Sequence, residues 1–326
     1  MKPFAFSSPA TLAGAIDLLE DGAGGARAIA GGSDLLGELK EGCAHYHTLV
    51  SLQGIEALRV IEEQPSGLRI GAGVSLAQLE HDGRFSGPFW VLAEAARSVA
   101  TPEIRNQGTL GGNLCQRPRC LHYRSRLIPC LKKGGADCPA LKSRHQQYLS
   151  VLGGEGCFSV HPSDLAPALL ILEARVIVAG RGGEKELALE EFFTGPDTDV
   201  LKENVLAPGE LLAAVELPRA PPGWRGVFMK ARERNAGDFA LVSVAFGCRM
   251  AGGTMRDVRL ALGGAGPVAL RCREVETLLE GQAPSPELAA QAGEQAFSAA
   301  RPLAHNGYKI NMGRALVARA VEQFPG

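Results

Sequence analysis

The sequence predicts a multidomain α+β protein, and three observations carry that expectation. With 326 residues the chain is longer than one hydrophobic core usually organises, so two or three domains are expected. Its first two thirds alternate short β-like runs with helix-length stretches, and two of the junctions are glycine-rich turns that lead into capped helix starts. A proline-rich segment, PRAPPGWRG at 218–226, then sets off two alternating strand candidates, VSVAFGCRM and VRLALGG, followed by two helices of apolar spacing, PSPELAAQAGEQAFSAARPL and NMGRALVARAVEQF.

Composition narrows the class. A hydrophobic content of 45% with 21% charged residues is that of a globular chain able to bury a large core. The net charge of -1 argues against a general binder of nucleic acid or anionic membrane. The N-terminus, MKPFAFSSPATLAGAIDLLED, has one early Lys, no apolar run long enough to span a bilayer, and acids at Asp17, Glu20 and Asp21. A cytoplasmic location is therefore expected. In that setting the eight cysteines are expected free, buried or metal-bound rather than paired as disulfides.

Taken in order, SPATLAGAIDLLED predicts a helix capped by Ser8 with Pro9 in its first turn, burying Leu12, Ala15, Ile16 and Leu19. A short apolar run, Ala28 to Ala30, then meets Gly31 and Gly32, with Ser33 and Asp34 able to cap a new helix. Strand, glycine turn and helix start form a nucleotide-binding shape, because glycines let the backbone approach a phosphate and the first amides of a helix supply donors. A tight turn would use the same residues. Strand candidates follow at Thr48–Leu52, Leu58–Ile61 and Leu68–Ile70, with a turn at 65–67 and a helix opening at Ser75. Another helix runs through Ala93–Val99 and stops where Thr101 precedes Pro102. The second glycine loop, IRNQGTLGGNL, offers the Thr109 hydroxyl, the bare backbone of Gly111 and Gly112, and Asn113. No internal repeat, hydrolytic triad, Walker loop or H-E-x-x-H motif is present.

Five of the cysteines fall between 115 and 157. The last four, Cys120, Cys130, Cys138 and Cys157, are spaced C-x9-C-x7-C-x18-C. This lacks the paired spacing of a zinc ribbon and the compact run of a ferredoxin, so spacing alone leaves open a metal or cluster site and plain buried thiols. Between Arg117 and His145 the chain holds Arg117, Arg119, Arg124, Arg126, Lys132, Lys133, Lys142 and Arg144 against one acid, Asp137. A cationic shell would lower the cost of a negatively charged four-thiolate cluster; a solvated basic loop and a nucleic-acid patch are the alternatives.

Four motifs, AGGSDLL at 30–36, IRNQGTLGGNL at 104–114, SDLAPALL at 163–170 and MKARERNAGDFALVSVA at 229–245, occur in an order and spacing that resembles the FAD-binding subunits of molybdenum hydroxylases, the xanthine dehydrogenase and carbon monoxide dehydrogenase medium-chain family. The resemblance spans nearly the whole chain. It implies a two-subdomain α/β FAD-binding region of the PCMH type, divided here as 1–60 and 61–217, and a C-terminal α+β domain of the CO dehydrogenase flavoprotein type at 218–326. It implies FAD contacts by Ala30, Gly31, Gly32, Ser33, Asp34 and Leu35 in the first loop and by Thr109, Gly112 and Asn113 in the second. Asp164, Leu165 and Lys230 are implied near the cofactor, Asp164 with helix capping as an equal alternative and Lys230 with a solvent-facing alternative.

Between GGNL and SDL this chain carries roughly forty additional residues with RPRC, PCLKK, ADCPA and GC. This insertion resembles that of the 4-hydroxybenzoyl-CoA reductase flavin subunit and of the bacterial aldehyde oxidoreductase flavin subunit, which implies an extra [4Fe–4S] cluster (4Fe-4S) held by Cys120, Cys130, Cys138 and Cys157. Cys115 competes for the first place, and Cys43, Cys248 and Cys272 are expected as ordinary buried thiols. The implied partners are a molybdenum-cofactor large subunit, a [2Fe–2S] small subunit and an external electron carrier such as ferredoxin or NAD. A free-standing FAD-dependent dehydrogenase and a zinc-bearing interaction module without flavin are the competing expectations.

Overall fold

The computed structural model describes residues 1–22 and 24–324. Near the N-terminus, strand β1 (Ala5–Ser7), helix α1 (Leu12–Asp21), strand β2 (Ala26–Ile29), helix α2 (Leu35–Glu41) and strand β3 (Thr48–Ser51) form a parallel sheet of order β1-β3-β2. Helix α1 buries Ala15, Ile16 and Leu19, the apolar face expected from spacing. Its cap differs. Thr11, not Ser8, accepts from the amide of Gly14, because a hydroxyl must sit three residues before the donor it satisfies.

The next unit is a five-stranded antiparallel sheet ordered β4-β5-β8-β6-β7. It comprises β4 (Ile61–Gln64), β5 (Gly67–Gly71), β6 (Arg175–Gly180), β7 (Gly183–Ala188) and β8 (Leu211–Pro218). The strand expected at 58–61 starts later: Leu58 lies in a 3-10 turn over Glu56–Arg59, and the two-residue turn after Gln64 fixes the pairing of Gln64 with Gly67. β6, β7 and β8 have no counterpart among the expected strands. β8, LLAAVELP, is buried along nearly its whole length, and a continuous apolar run lacks the alternation that marks a half-buried strand.

Helices α3 (Leu76–His81), α4 (Trp90–Ser98), α5 (Pro102–Gln107), α6 (Leu110–Leu114), α7 (Leu165–Ile171) and α8 (Leu189–Phe192) surround this sheet. Ser75 and Gln78 form the reciprocal capping box that opens α3. Pro102 begins α5 as well as following the end of α4, since a proline in the first helical turn needs no amide partner. The C-terminal unit is an antiparallel sheet of order β12-β11-β10-β9, built from β9 (Arg225–Ala231), β10 (Val242–Ala251), β11 (Thr254–Gly263) and β12 (Leu270–Arg271). It is covered by α9 (Arg273–Leu279), α10 (Pro286–Ala296) and α11 (Tyr308–Val321). The architecture is the expected α+β arrangement.

The cysteine-bearing insertion between α6 and α7 has little regular structure and leans on both neighbours. Val151 and Leu152 pack into the C-terminal core, and both donate backbone hydrogen bonds to the carbonyl of Ala265. Lys309 is fully buried and donates to the carbonyls of Leu149 (2.9 Å) and Gly264 (2.6 Å), with Asn306 donating to Leu149 and Ser150. No acid pairs with Lys309 among the described residues. Burial pushes its ammonium down to about 7 from an ordinary 10.5. Between those two values the unfolded chain binds a proton that the folded chain has released, so this group makes stability rise with pH across that window. Replacing Lys309 with Met should remove that contribution: the stability of the wild type relative to Lys309→Met, measured by urea unfolding of the full chain, should increase from pH 7 to pH 9.5. A difference independent of pH would refute the assignment.

Candidate functional site

The two glycine loops touch. A Cβ on Gly31 would lie 1.9 Å from the carbonyl oxygen of Gln107, so only glycine permits this approach of the β2–α2 turn to the end of α5. Gly32 has φ +71°, the left-handed region in which a side chain is strained. Gly111 is packed as tightly, where a Cβ would meet that of Ala72 at 2.8 Å. Among the described residues, the amides of Gly31, Gly32, Ser33, Asp34 and Leu35 make no backbone hydrogen bond, which leaves a row of donors without a backbone partner. Thr109 caps α6 by accepting from Gly112 (3.1 Å).

Two cavities of about 680 and 310 Å³ adjoin at this contact and share Arg27, Ala30, Gly31, Thr109, Gly112 and Cys115 as walls. The smaller one brings together Ala30, Gly31, Gly32, Ser33, Asp34, Leu35, Thr109, Gly112, Asn113 and Asp164, ten of the residues singled out in the sequence. Leu165 and Lys230 lie behind the wall. Leu165 is fully buried in the main core, and Lys230, on β9, is a buried partner rather than a solvent lysine.

Lys230 Nζ lies 2.6 Å from Asp164 Oδ2 and also donates to the carbonyl of Ser98. Burial pushes the Asp164 carboxyl up, and the Lys230 ammonium opposes that shift. Asp164 does not cap α7. Ser163 does, accepting from the amide of Ala166 (3.1 Å) while donating to Asn113 Oδ1 (2.5 Å). His161 lies beside this pair, and burial pushes it down to about 4, so the ring is neutral. Its Nε2 donates to the carbonyl of Leu114 and its Nδ1 accepts from the amide of Ser163. These bonds close the two ends of the insertion onto each other.

Within the insertion, Cys120, Cys130, Cys138 and Cys157 line one small cavity of about 20 Å³ together with Tyr123, Lys132 and Leu149. Backbone amides of His122 and Tyr123 are directed at the Cys120 sulfur, those of Lys132 and Lys133 at Cys130, and those of Ala140 and Phe158 at Cys138. Burial pushes these three thiols up. Among the described residues, no three His, Cys, Asp or Glu side chains converge tightly enough to hold a single metal ion. Cys115 stands apart, in the wall of the glycine-loop cavities, its thiol pushed up to about 12 by burial. Cys248 is buried, whereas Cys43 and Cys272 are only partly so.

The expected cationic shell around the thiols is largely absent. Arg117 and Lys132 pair with Glu203, and Arg119 and Arg124 pair with Asp34, because these carboxylates come from outside the insertion and need partners where they are enclosed. Lys133 is the cation that faces Cys130.

A family model described as the FAD binding domain in molybdopterin dehydrogenase matches residues 2–220, and one for the CO dehydrogenase flavoprotein C-terminal domain matches 227–324. The chain belongs to the FAD-binding subunits of the molybdenum hydroxylase family. It is 32% identical over 301 residues to the aldehyde oxidoreductase FAD-binding subunit PaoB of Escherichia coli, covering 92% of this chain and 91% of that protein. It is 26% identical to the carbon monoxide dehydrogenase medium chain of Hydrogenophaga pseudoflava over 98% of this chain and 96% of that one. A solved structure of carbon monoxide dehydrogenase from the same organism superposes with a TM-score of 0.79 at 25% identity, over 99% of this chain and 98% of that one. These relatives are oxidoreductase subunits, as is this FAD-binding subunit.

The FAD-binding fold accounts for the paired cavities and the amides without backbone partners, since an elongated dinucleotide needs both room and phosphate donors. Arg27, Tyr46 and Phe239, which were not singled out in the sequence, also line the cavities, as does Arg119, expected there only as part of the cationic shell of the thiols. Arg27 lies over the Tyr46 ring and Arg119 over Phe239 at 4.8 Å, contacts between segments far apart in the chain that leave no local pattern. Two substitutions test this geometry. Gly31→Ala should abolish FAD retention, read as the flavin absorbance of purified protein, since the Gln107 carbonyl is backbone and cannot yield; full retention would refute the close approach. Lys230→Met should leave Asp164 buried and unpaired, costing about 3–5 kcal/mol in urea unfolding. A cost below about 1 kcal/mol would show that the pair is not enclosed.

Proposed function

We propose that this subunit relays electrons between FAD, held along the two glycine loops, and iron–sulfur centres, and that Cys120, Cys130, Cys138 and Cys157 hold an additional [4Fe–4S] cluster. The observation that carries the cluster is the ring of four thiols around one cavity with amide donors directed at three of the sulfurs. Hydrogen bonds to sulfur stabilise cluster-bound thiolates and tune their potential. Thiols that surround a void rather than converge on a point suit a polynuclear cluster better than one zinc ion. Cys115, on the flavin side, is not part of that ring.

Bound FAD supplies the chemistry of exchanging electrons singly with iron–sulfur centres and in pairs with a hydride carrier. The chain's own residues bind and orient it. Gly31, Gly32, Ser33, Asp34 and Leu35 present backbone donors, Thr109, Gly112 and Asn113 shape the opposite wall, and the Asp164–Lys230 pair fixes the electrostatics at one end of the smaller cavity. The relatives named above are FAD-binding or medium subunits, which supports a place beside a molybdenum-cofactor large subunit and a [2Fe–2S] small subunit, with an external electron carrier. Among the described residues no helix is long and apolar enough to cross a membrane, and we propose a cytoplasmic location. Iron and acid-labile sulfide analysis of anaerobically purified chain should give about four of each per chain. Cys120→Ser should lose most of both while keeping FAD, and Cys115→Ser should keep both. Unchanged iron in Cys120→Ser would overturn the ligand set.

A further inference from the structure

The insertion meets the flavin loop through a one-sided set of charges. Every carboxylate in that interface comes from outside the insertion, and the groups that satisfy them come from within it. Asp34 occupies the N-cap position of α2, yet its carboxylate makes no cap bond. It turns instead to the insertion, where Oδ2 accepts from the backbone amide of Arg117 (2.8 Å) and Oδ1 from the guanidinium of Arg124 (2.6 Å), with the Arg119 guanidinium ion-paired to Oδ1 at 2.9 Å. One turn further along α2, buried Glu38 accepts from the Tyr123 hydroxyl. Burial raises the phenol, which keeps its proton for that bond. On the other wall, Glu203 accepts from Lys132 (2.7 Å) and is ion-paired with Arg117 at 2.9 Å.

Tyr123 and Lys132 belong to two sites at once. They line the thiol cavity and also hold acids that fix the FAD side. Arg124 stacks over the Tyr123 ring at 5.6 Å and Arg117 at 5.1 Å, so the ring, both guanidinium groups and Asp34 form one packed unit. Drawing the Asp34 carboxylate away from α2 also leaves the helix's first amides to the cofactor rather than to their own cap.

We propose that Arg124 and Tyr123 are positioning residues for the FAD-binding loop, so that order in the thiol site and affinity for FAD are coupled through Asp34 and Glu38. The proposal rests on the reading that the loops hold FAD and the thiols a cluster. By linkage the coupling is reciprocal: filling the thiol site tightens FAD binding by the same factor that FAD tightens the thiol site.

The test uses the full chain stripped of flavin, with FAD affinity read from quenching of flavin fluorescence. In cluster-free protein, Arg124→Gln and Tyr123→Phe should each weaken FAD binding about five- to tenfold, and Arg124→Lys should recover part of the loss. Reconstitution with iron and sulfide should tighten FAD binding of the wild type by about tenfold and that of Arg124→Gln by markedly less. Unchanged FAD affinity in both variants overturns the proposal. So does equal tightening in wild type and variant. A wild type that takes up no iron instead removes the cluster reading and with it the coupling, while the cluster-free comparison still decides whether Arg124 and Tyr123 position the loop.

Discussion

The close approach of Gly31 to the Gln107 carbonyl is the constraint on which the rest of this molecule depends. It brings the small parallel sheet of the N-terminus against the helices that cover the five-stranded sheet, at a distance no other residue allows. The groove exists because the two loops meet there and diverge on either side. A contact of this kind is steric and binary: either the Cβ is absent and the loops close, or the backbone on one side must move. Buried polar pairs elsewhere around the groove refine a geometry that this contact has already imposed.

Electrostatics then decides what the loops present. An acid at a helix N-cap ordinarily serves the helix, but Asp34 is held by two hydrogen bonds and an ion pair from the insertion. Arginine suits this task, since its planar, always-charged head can meet a carboxylate while lying flat on an aromatic ring, as Arg124 does on Tyr123. The Asp164–Lys230 pair follows a different logic. Both groups are enclosed, so each is the condition for the other's charge, and removing one leaves a penalty far larger than the pair's own net contribution.

The insertion is tolerated because its ends are already neighbours. Asn113 and Ser163 meet at 2.5 Å and His161 reaches the Leu114 carbonyl, so the chain can leave and return without disturbing the flavin fold. Loop closure costs grow slowly with length, and here the segment also gains the contacts of Val151 and Leu152 with the C-terminal core. One layer of side chains, Tyr123 and Lys132 among them, lies between the four thiols and the acids of the glycine-loop cavities.

Local chemistry made part of this legible in the sequence. Glycines before a cap, a helix start at Ser75, a proline-rich break and four cysteines on an inserted segment each leave a signal within a few residues, because each depends on backbone geometry or composition nearby. What the sequence alone determined was therefore the α+β class, the two glycine loops and the thiol set as a group. Only the tertiary structure decided that Ser163 rather than Asp164 caps α7, that Cys115 lines the glycine-loop cavities, that β8 is a central strand, and that Arg117, Arg119, Arg124 and Lys132 pair with Asp34 and Glu203. The physical reason is that a charge or a thiol has no preferred partner until packing brings one within reach, and those partners lie up to 90 residues away in the chain.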